Sequence, residues 1–95
     1  MQLKHVRLRW AVLDRDEGLC LCGKIAQAVH HVVHRGRASK KLVWREANML
    51  SLCNSCHDKA NSKKAKREHL EYLREEFGYE YVAQPWIGIL GEANE

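Results

Sequence analysis

The sequence predicts a small α+β domain, with a helix at each end and short strands between them gathered on a cysteine knuckle. Three observations carry this reading. All four cysteines and four of the six histidines fall between Cys20 and His57. Apolar residues recur at helical spacing on both sides of that stretch, and β-branched residues cluster inside it. Ninety-five residues suit one domain over 1–95. A chain this short buries only about two-thirds of its unfolded surface, so a staple beyond the apolar core is expected.

Taken in order, Val6, Trp10 and Leu13 share one helical face, which predicts a helix over about Val6 to Arg15 with Trp10 in the core and Gly18 as its stop. Ile25 to His34 reads as a strand through Val29, Val32 and Val33, with Ile25-Ala26-Gln27 folding back on it as a short hairpin. Arg35 to Lys41 is polar and contains Gly36, which predicts an exposed loop. Leu42 to Ala47 reads as a turn with Trp44 inward, and Asn48 to Leu52 as a second strand. Asn54 or Ser55 can cap a helix over about Ser55 to Ala60, and Ser62 a longer one over Lys63 to Phe77 that ends at Gly78 and carries His69, Leu70, Leu73 and Phe77 as its apolar stripe. In the tail, Trp86 to Leu90 is expected to pack against the first helix.

The net charge of +4 is unevenly placed. Between His30 and Arg67 stand ten Lys and Arg against Glu46 and Asp58, whereas Glu68 to Glu95 holds seven Glu and Arg74 alone. Positive charge concentrated around the Cys and His stretch favours a polyanionic partner over a membrane. The cations at the start of the 63–77 helix oppose the helix dipole, which again suggests a partner for them. Lys4, His5, Arg7 and Arg9 interrupt the N-terminal apolar residues, so no export signal is read there. Reduced thiols and a cytoplasmic location, in a bacterium or an infected host cell, are expected.

Cys53-x-x-Cys56 has the spacing of a zinc knuckle, and Cys20 and Cys22 can complete a four-thiolate structural Zn²⁺ site if a turn lets that closer pair converge. Haem attachment at Cys53 to His57 would leave the first pair unexplained, and a zinc deaminase would need a Pro where Leu52 stands. His30 and His31 are neighbours on a strand and must point to opposite faces. With His57 directly after the knuckle, they suggest a second centre distinct from the zinc. His5 and His69 read as ordinary surface histidines, and His34 as either lining the site or solvated.

Cys20-x-Cys22-Gly23, then His30-His31, Asn48 and Cys53-x-x-Cys56-His57, in this order, resemble the HNH endonuclease family in its small, zinc-stapled bacterial and phage form. The match runs from about Trp10 to Asn61, with a C-terminal helix and tail over 62–95. It departs from the family in Cys20-x-Cys22, where Cys-x-x-Cys is usual, and in His34, where a Pro is frequent. The resemblance implies a ββα-metal (His-Me finger) core, with His31 as general base and His30 and His57 as ligands of a catalytic Mg²⁺, Mn²⁺ or Ni²⁺. Asn48 would orient His31 or add a ligand.

The activity implied is metal-dependent hydrolysis of DNA phosphodiester bonds, by nicking or double-strand cleavage, leaving 5′-phosphate and 3′-hydroxyl ends. Arg35, Arg37, Lys40, Lys41, Lys63, Lys64, Lys66 and Arg67 would grip the phosphate backbone without reading sequence. Phage members often act beside a DNA-packaging motor, which by analogy offers a terminase subunit as a partner; Trp86 to Leu90 would be its docking surface only if Trp86 is highly exposed rather than packed against the first helix. The alternative is a zinc-stabilised module that binds nucleic acid or protein without catalysis.

Overall fold

A computed structural model describes residues 3–34, 36, 38–82 and 85–91; Arg35 and Arg37 lie outside the described residues. The fold is α+β. Its elements run α1 (Leu3–Arg15), β1 (Ala28–His31), α2 (Lys40–Val43), β2 (Met49–Leu52), α3 (Asn54–Asp58), α4 (Lys63–Phe77) and α5 (Trp86–Gly91). A 3-10 turn at Glu46–Asn48 leads into β2.

The two strands pair antiparallel, with His30 opposite Leu50 and His31 opposite Met49. Val32 N donates to the Asn48 carbonyl and Gln27 N to the Leu52 carbonyl, which extends the ladder beyond each end. On this register Met49 and Ser51 turn their backbone groups to the outer edge of β2, where a third strand would lie. Side chains stand in for it. Asp16 Oδ2 accepts from Ser51 N at 3.0 Å, and Arg15 donates to the Met49 carbonyl at 2.7 Å while pairing with Asp16 at 2.8 Å. The same guanidinium lies over the rings of Phe77 and Tyr79. The end of α1 is thereby tied to β2 and to the end of α4.

The core packs Val32, Val33, Leu50 and Leu52 against Leu70 and Leu73 of α4 and Trp86 and Leu90 of α5. Cys20, Cys53 and Ala60 belong to the same cluster, so the knuckle and the apolar core are continuous. α4 spans the predicted residues. The Ser62 side chain accepts from Ala65 N, and Gly78 takes φ 73°, a left-handed conformation that a side chain disfavours.

Several expectations are corrected. α1 begins three residues earlier, at Leu3, and buries Val12 fully, while Trp10 is 67% exposed beside an open cleft. The face carrying Val6, Trp10 and Leu13 borders that cleft together with Ala28 and Val29 of β1, whereas Val12 is in the core. Ile25 bridges Leu19 rather than folding back on β1, because Cys20 to Lys24 needs its own turn. β1 stops at His31, and β2 begins at Met49. The expected loop at 35–41 gives way to one turn of helix at Lys40, and Trp44 is half-buried. α3 starts at Asn54 with Cys53 as its cap residue, and no side chain caps it. Trp86, 3% exposed, is buried among α4, Tyr81 and Asn48 instead of against α1. Among the described residues no helix is long and apolar enough to cross a membrane.

Candidate functional site

The four cysteines converge. The chain turns sharply between Leu19 and Ile25: Cys20 N donates to the Lys24 carbonyl at 2.6 Å, Gly23 N to the Cys20 carbonyl at 2.8 Å, and Gly23 adopts φ 93°. Only glycine accepts that backbone angle without strain, and the turn brings a pair separated by one residue onto one side. The second pair enters from α3, where His57 N donates to the Cys53 carbonyl and closes the first turn. Their Sγ atoms all lie within 4.8 Å of one another, with Cys22 and Cys53 at 3.7 Å. Tetrahedral zinc at about 2.3 Å from each sulfur needs sulfurs roughly 3.8 Å apart, so the donor set and spacing fit a zinc ion.

The protons of the cluster are unevenly shared. A backbone N–H bond at Cys56, helped by the neighbouring thiols, pulls the Cys53 thiol down to about 7 against the effect of burial. Hydrogen bonding with Cys20 and Cys53 pushes Cys56 up to about 12. Four crowded thiols cannot all ionise without a compensating cation, which is the condition a bound metal relieves.

On β1 the two adjacent histidines separate as strand geometry requires. His30 turns inward, 5% exposed, and meets His57 of α3 at 5.1 Å between ring centroids. His34 and His69 stand at 6.1 and 6.3 Å from it. His69 is 7% exposed, which corrects its reading as a surface residue: it sits in the buried stripe of α4 beside Leu70 and Leu73. Burial, then the nearby rings of His57, His69, His34 and His31, holds His30 down at about 3, so it remains neutral and available as a ligand at ordinary pH. His57 is exposed, one residue after Cys56. One turn of α3 therefore carries both Cys56 of the cysteine cluster and His57, which meets His30.

His31 faces the other way. Its Nδ1 lies 3.0 Å from the Val43 carbonyl, and its ring meets Trp44 edge-on at 4.5 Å. A carbonyl oxygen only accepts, so this bond puts the imidazole proton on Nδ1 and leaves the lone pair on Nε2.

Asn48 is fully buried and does not reach the His31 ring directly. Its Nδ2 donates to the carbonyls of Val33 and Val43, both at 3.1 Å, and its Oδ1 accepts from Val33 N and Trp86 Nε1. With Oδ1 accepting twice, no lone pair remains for an ion. Asn48 and His31 instead share the Val43 carbonyl, so the amide positions the group that orients the imidazole. Replacing Asn48 by Ala strands the Trp86 and Val33 donors in the core, at about 1–3 kcal/mol each. Chemical denaturation of the zinc-loaded variant is expected to show a loss of about 3 kcal/mol; a loss below about 1 kcal/mol would mean that α5 docks without it.

Trp44, which His31 meets edge-on, lines an open groove of about 510 Å³ between α1 and α2; His31 itself is not among the lining residues. Lys4, Lys40, Lys41 and Arg45 line it with His5, Leu8 and Trp44, and no acidic side chain is among these lining residues. His5 stacks on Trp44 at 3.8 Å between centroids, and the Arg9 guanidinium lies 5.8 Å from the same ring. Lys40 and Lys41, expected from the sequence, are exposed here; Lys4 and Arg45 are further members. The pairing of Lys4 with Leu8 at helical spacing was the available signal for α1, hidden by starting that helix at Val6. Lys63 and Lys64 are exposed on the first turn of α4, whereas Lys66 and Arg67 are half-buried. None of these four lines the groove.

Comparison with family models, with curated proteins and with solved structures finds no match to this chain.

Proposed function

We propose that the chain is an HNH-type endonuclease that hydrolyses DNA phosphodiester bonds with a divalent ion, on a ββα-metal core formed by β1, β2 and α3. The observation that carries this reading is the back-to-back histidine pair of β1: His30 against His57 on the inner face, and His31 against Trp44, a lining residue of the basic groove, on the outer one. His30 and His57 are the residues that would hold the ion, and their ring spacing fits two imidazoles on one centre, about 5 Å apart at ligand distances near 2.1 Å. Such an ion supplies Lewis-acid stabilisation of negative charge on phosphate oxygens.

The chain's own residues divide the rest of the work. Val43 holds His31 in the tautomer whose Nε2 accepts a proton, and Asn48 fixes Val43 from behind. His31 then takes a proton from the attacking water. Lys4, Lys40, Lys41 and Arg45 hold the phosphate backbone along the groove, and Lys63 and Lys64 extend the positive surface on α4. These contacts fix position without reading bases. The structural zinc holds α3 to the Leu19–Ile25 turn, and so keeps His57 beside His30.

The test uses an end-labelled DNA duplex with Mg²⁺, Mn²⁺ or Ni²⁺ added to zinc-loaded protein. Cleavage should leave 3′-hydroxyl ends that a polymerase extends, and binding should weaken steeply with salt. A duplex bound but left intact under all three ions would favour the non-catalytic binding module. A packaging-motor subunit as partner rests on the resemblance, and the burial of Trp86 removes the main side chain of its expected docking surface, leaving Ile87 exposed on α5.

A further inference from the structure

We propose that the groove between α1 and α2 prefers single-stranded DNA, with the stacked rings of Trp44 and His5 serving as a platform for an unpaired base. The inference rests on the reading of the groove as the DNA-binding surface and names the form of DNA that it takes best.

Two kinds of side chain meet in the groove. Lys4, Lys40, Lys41 and Arg45 supply charge for phosphates, while His5 and Trp44 supply flat aromatic surface. The two rings are parallel within 3°, with centroids 3.8 Å apart, so they form one stacked unit joining α1 to the end of α2. Phosphate contacts need only the cations. A duplex has no use for the rings, because its base faces are already covered by stacking on neighbouring pairs. An unpaired base brings an open π-face, and cations combined with aromatic planes in one groove are what holds a single strand.

The platform is set before DNA arrives. Trp44 N donates to the Lys40 carbonyl at 3.0 Å, which fixes its backbone at the end of α2. The Arg9 guanidinium lies 5.8 Å from the Trp44 ring, and His31 meets that ring edge-on at 4.5 Å. Trp44 and His5 are both half-buried, so their side chains are already restricted and stacking costs little further ordering. The groove, at about 510 Å³, has the volume of a small-molecule pocket and suits a nucleoside-sized group. Through the His31 contact, a nucleotide stacked there is a neighbour of the imidazole proposed as general base.

Fluorescence anisotropy tests this with zinc-loaded protein, no added divalent ion and three labelled DNAs: a single strand of thymidylates, the same strand with abasic sites in place of the bases, and a duplex with the same number of phosphates. Wild type should bind the thymidylate strand at least about fivefold more tightly than either of the others, the effect of one stacked base. His5→Ala and Trp44→Leu should each erase most of that preference and keep the wild-type slope of affinity against salt, since no phosphate-binding cation is removed. If Trp44→Leu does not fold, His5→Ala and the abasic strand carry the comparison. Equal affinity for the thymidylate and abasic strands, or a duplex bound more tightly than the thymidylate strand, would overturn the platform. Base-dependent binding by a protein that cuts no DNA under Mg²⁺, Mn²⁺ or Ni²⁺ would leave the platform standing and overturn the nuclease reading; cleavage without base-dependent binding would do the reverse.

Discussion

Removing the ion from the four-cysteine site, by a chelator or by Cys53→Ser, is expected to unfold the chain rather than loosen one end of it. Cys20 and Cys53 lie in the same buried cluster as Leu50, Leu52, Leu70 and Leu73, so the knuckle cannot open without breaking that core. The sheet has two strands of four residues each, and α3 has five residues with no capping side chain. Elements this short do not persist alone. Structural zinc contributes on the order of 10 kcal/mol or more of apparent folding free energy in small domains, comparable to the whole stability of a chain this size. Circular dichroism melts of zinc-loaded and zinc-stripped protein check it. Loss of the cooperative transition on stripping is expected, and a stripped protein that melts as the loaded one does would show that the core suffices.

His31→Ala is expected to slow DNA cleavage by about 10² to 10⁴, the usual contribution of a positioned general base. Binding of DNA and of zinc should persist. The β1–β2 ladder is made by backbone groups, the thiolates lie elsewhere, and the groove cations sit on α1 and α2. Among the described residues the local cost includes one hydrogen bond to Val43 and an edge contact with Trp44. Single-turnover rates at saturating protein separate this effect from binding. A variant that cleaves within a few-fold of wild type would assign the base elsewhere.

The parts legible in the sequence were those governed by local chemistry. α4 could be delimited because Ser62 and Gly78 supply both of its ends, and the knuckle because two cysteines three apart on a turn have few other uses. The opposite facing of His30 and His31 followed from strand alternation once the strand was placed. What stayed hidden depends on contacts distant in sequence. Arg15 and Asp16 complete the outer edge of β2, a role that nothing in α1 announces. Trp10 shares a helical face with Val6 and Leu13, yet that face borders an open cleft, so periodicity alone overstates its burial. His69 falls at helical spacing in the apolar stripe of α4 with Leu70, Leu73 and Phe77, but its meeting with His30 arises only when α4 folds back over the sheet. Asn48 was visible as a residue of interest, but its four hydrogen bonds to Val33, Val43 and Trp86 join segments that no short pattern connects.

The most direct measurement of the proposed activity is the conversion of supercoiled plasmid by zinc-loaded wild type and His31→Ala, side by side, with Mg²⁺, Mn²⁺ or Ni²⁺ and with none. Relaxed or linear plasmid that requires the added ion and is lost in the variant is the expected result. Plasmid left supercoiled by folded, zinc-loaded, DNA-binding wild type under every ion, or cut equally well by the variant, would contradict it.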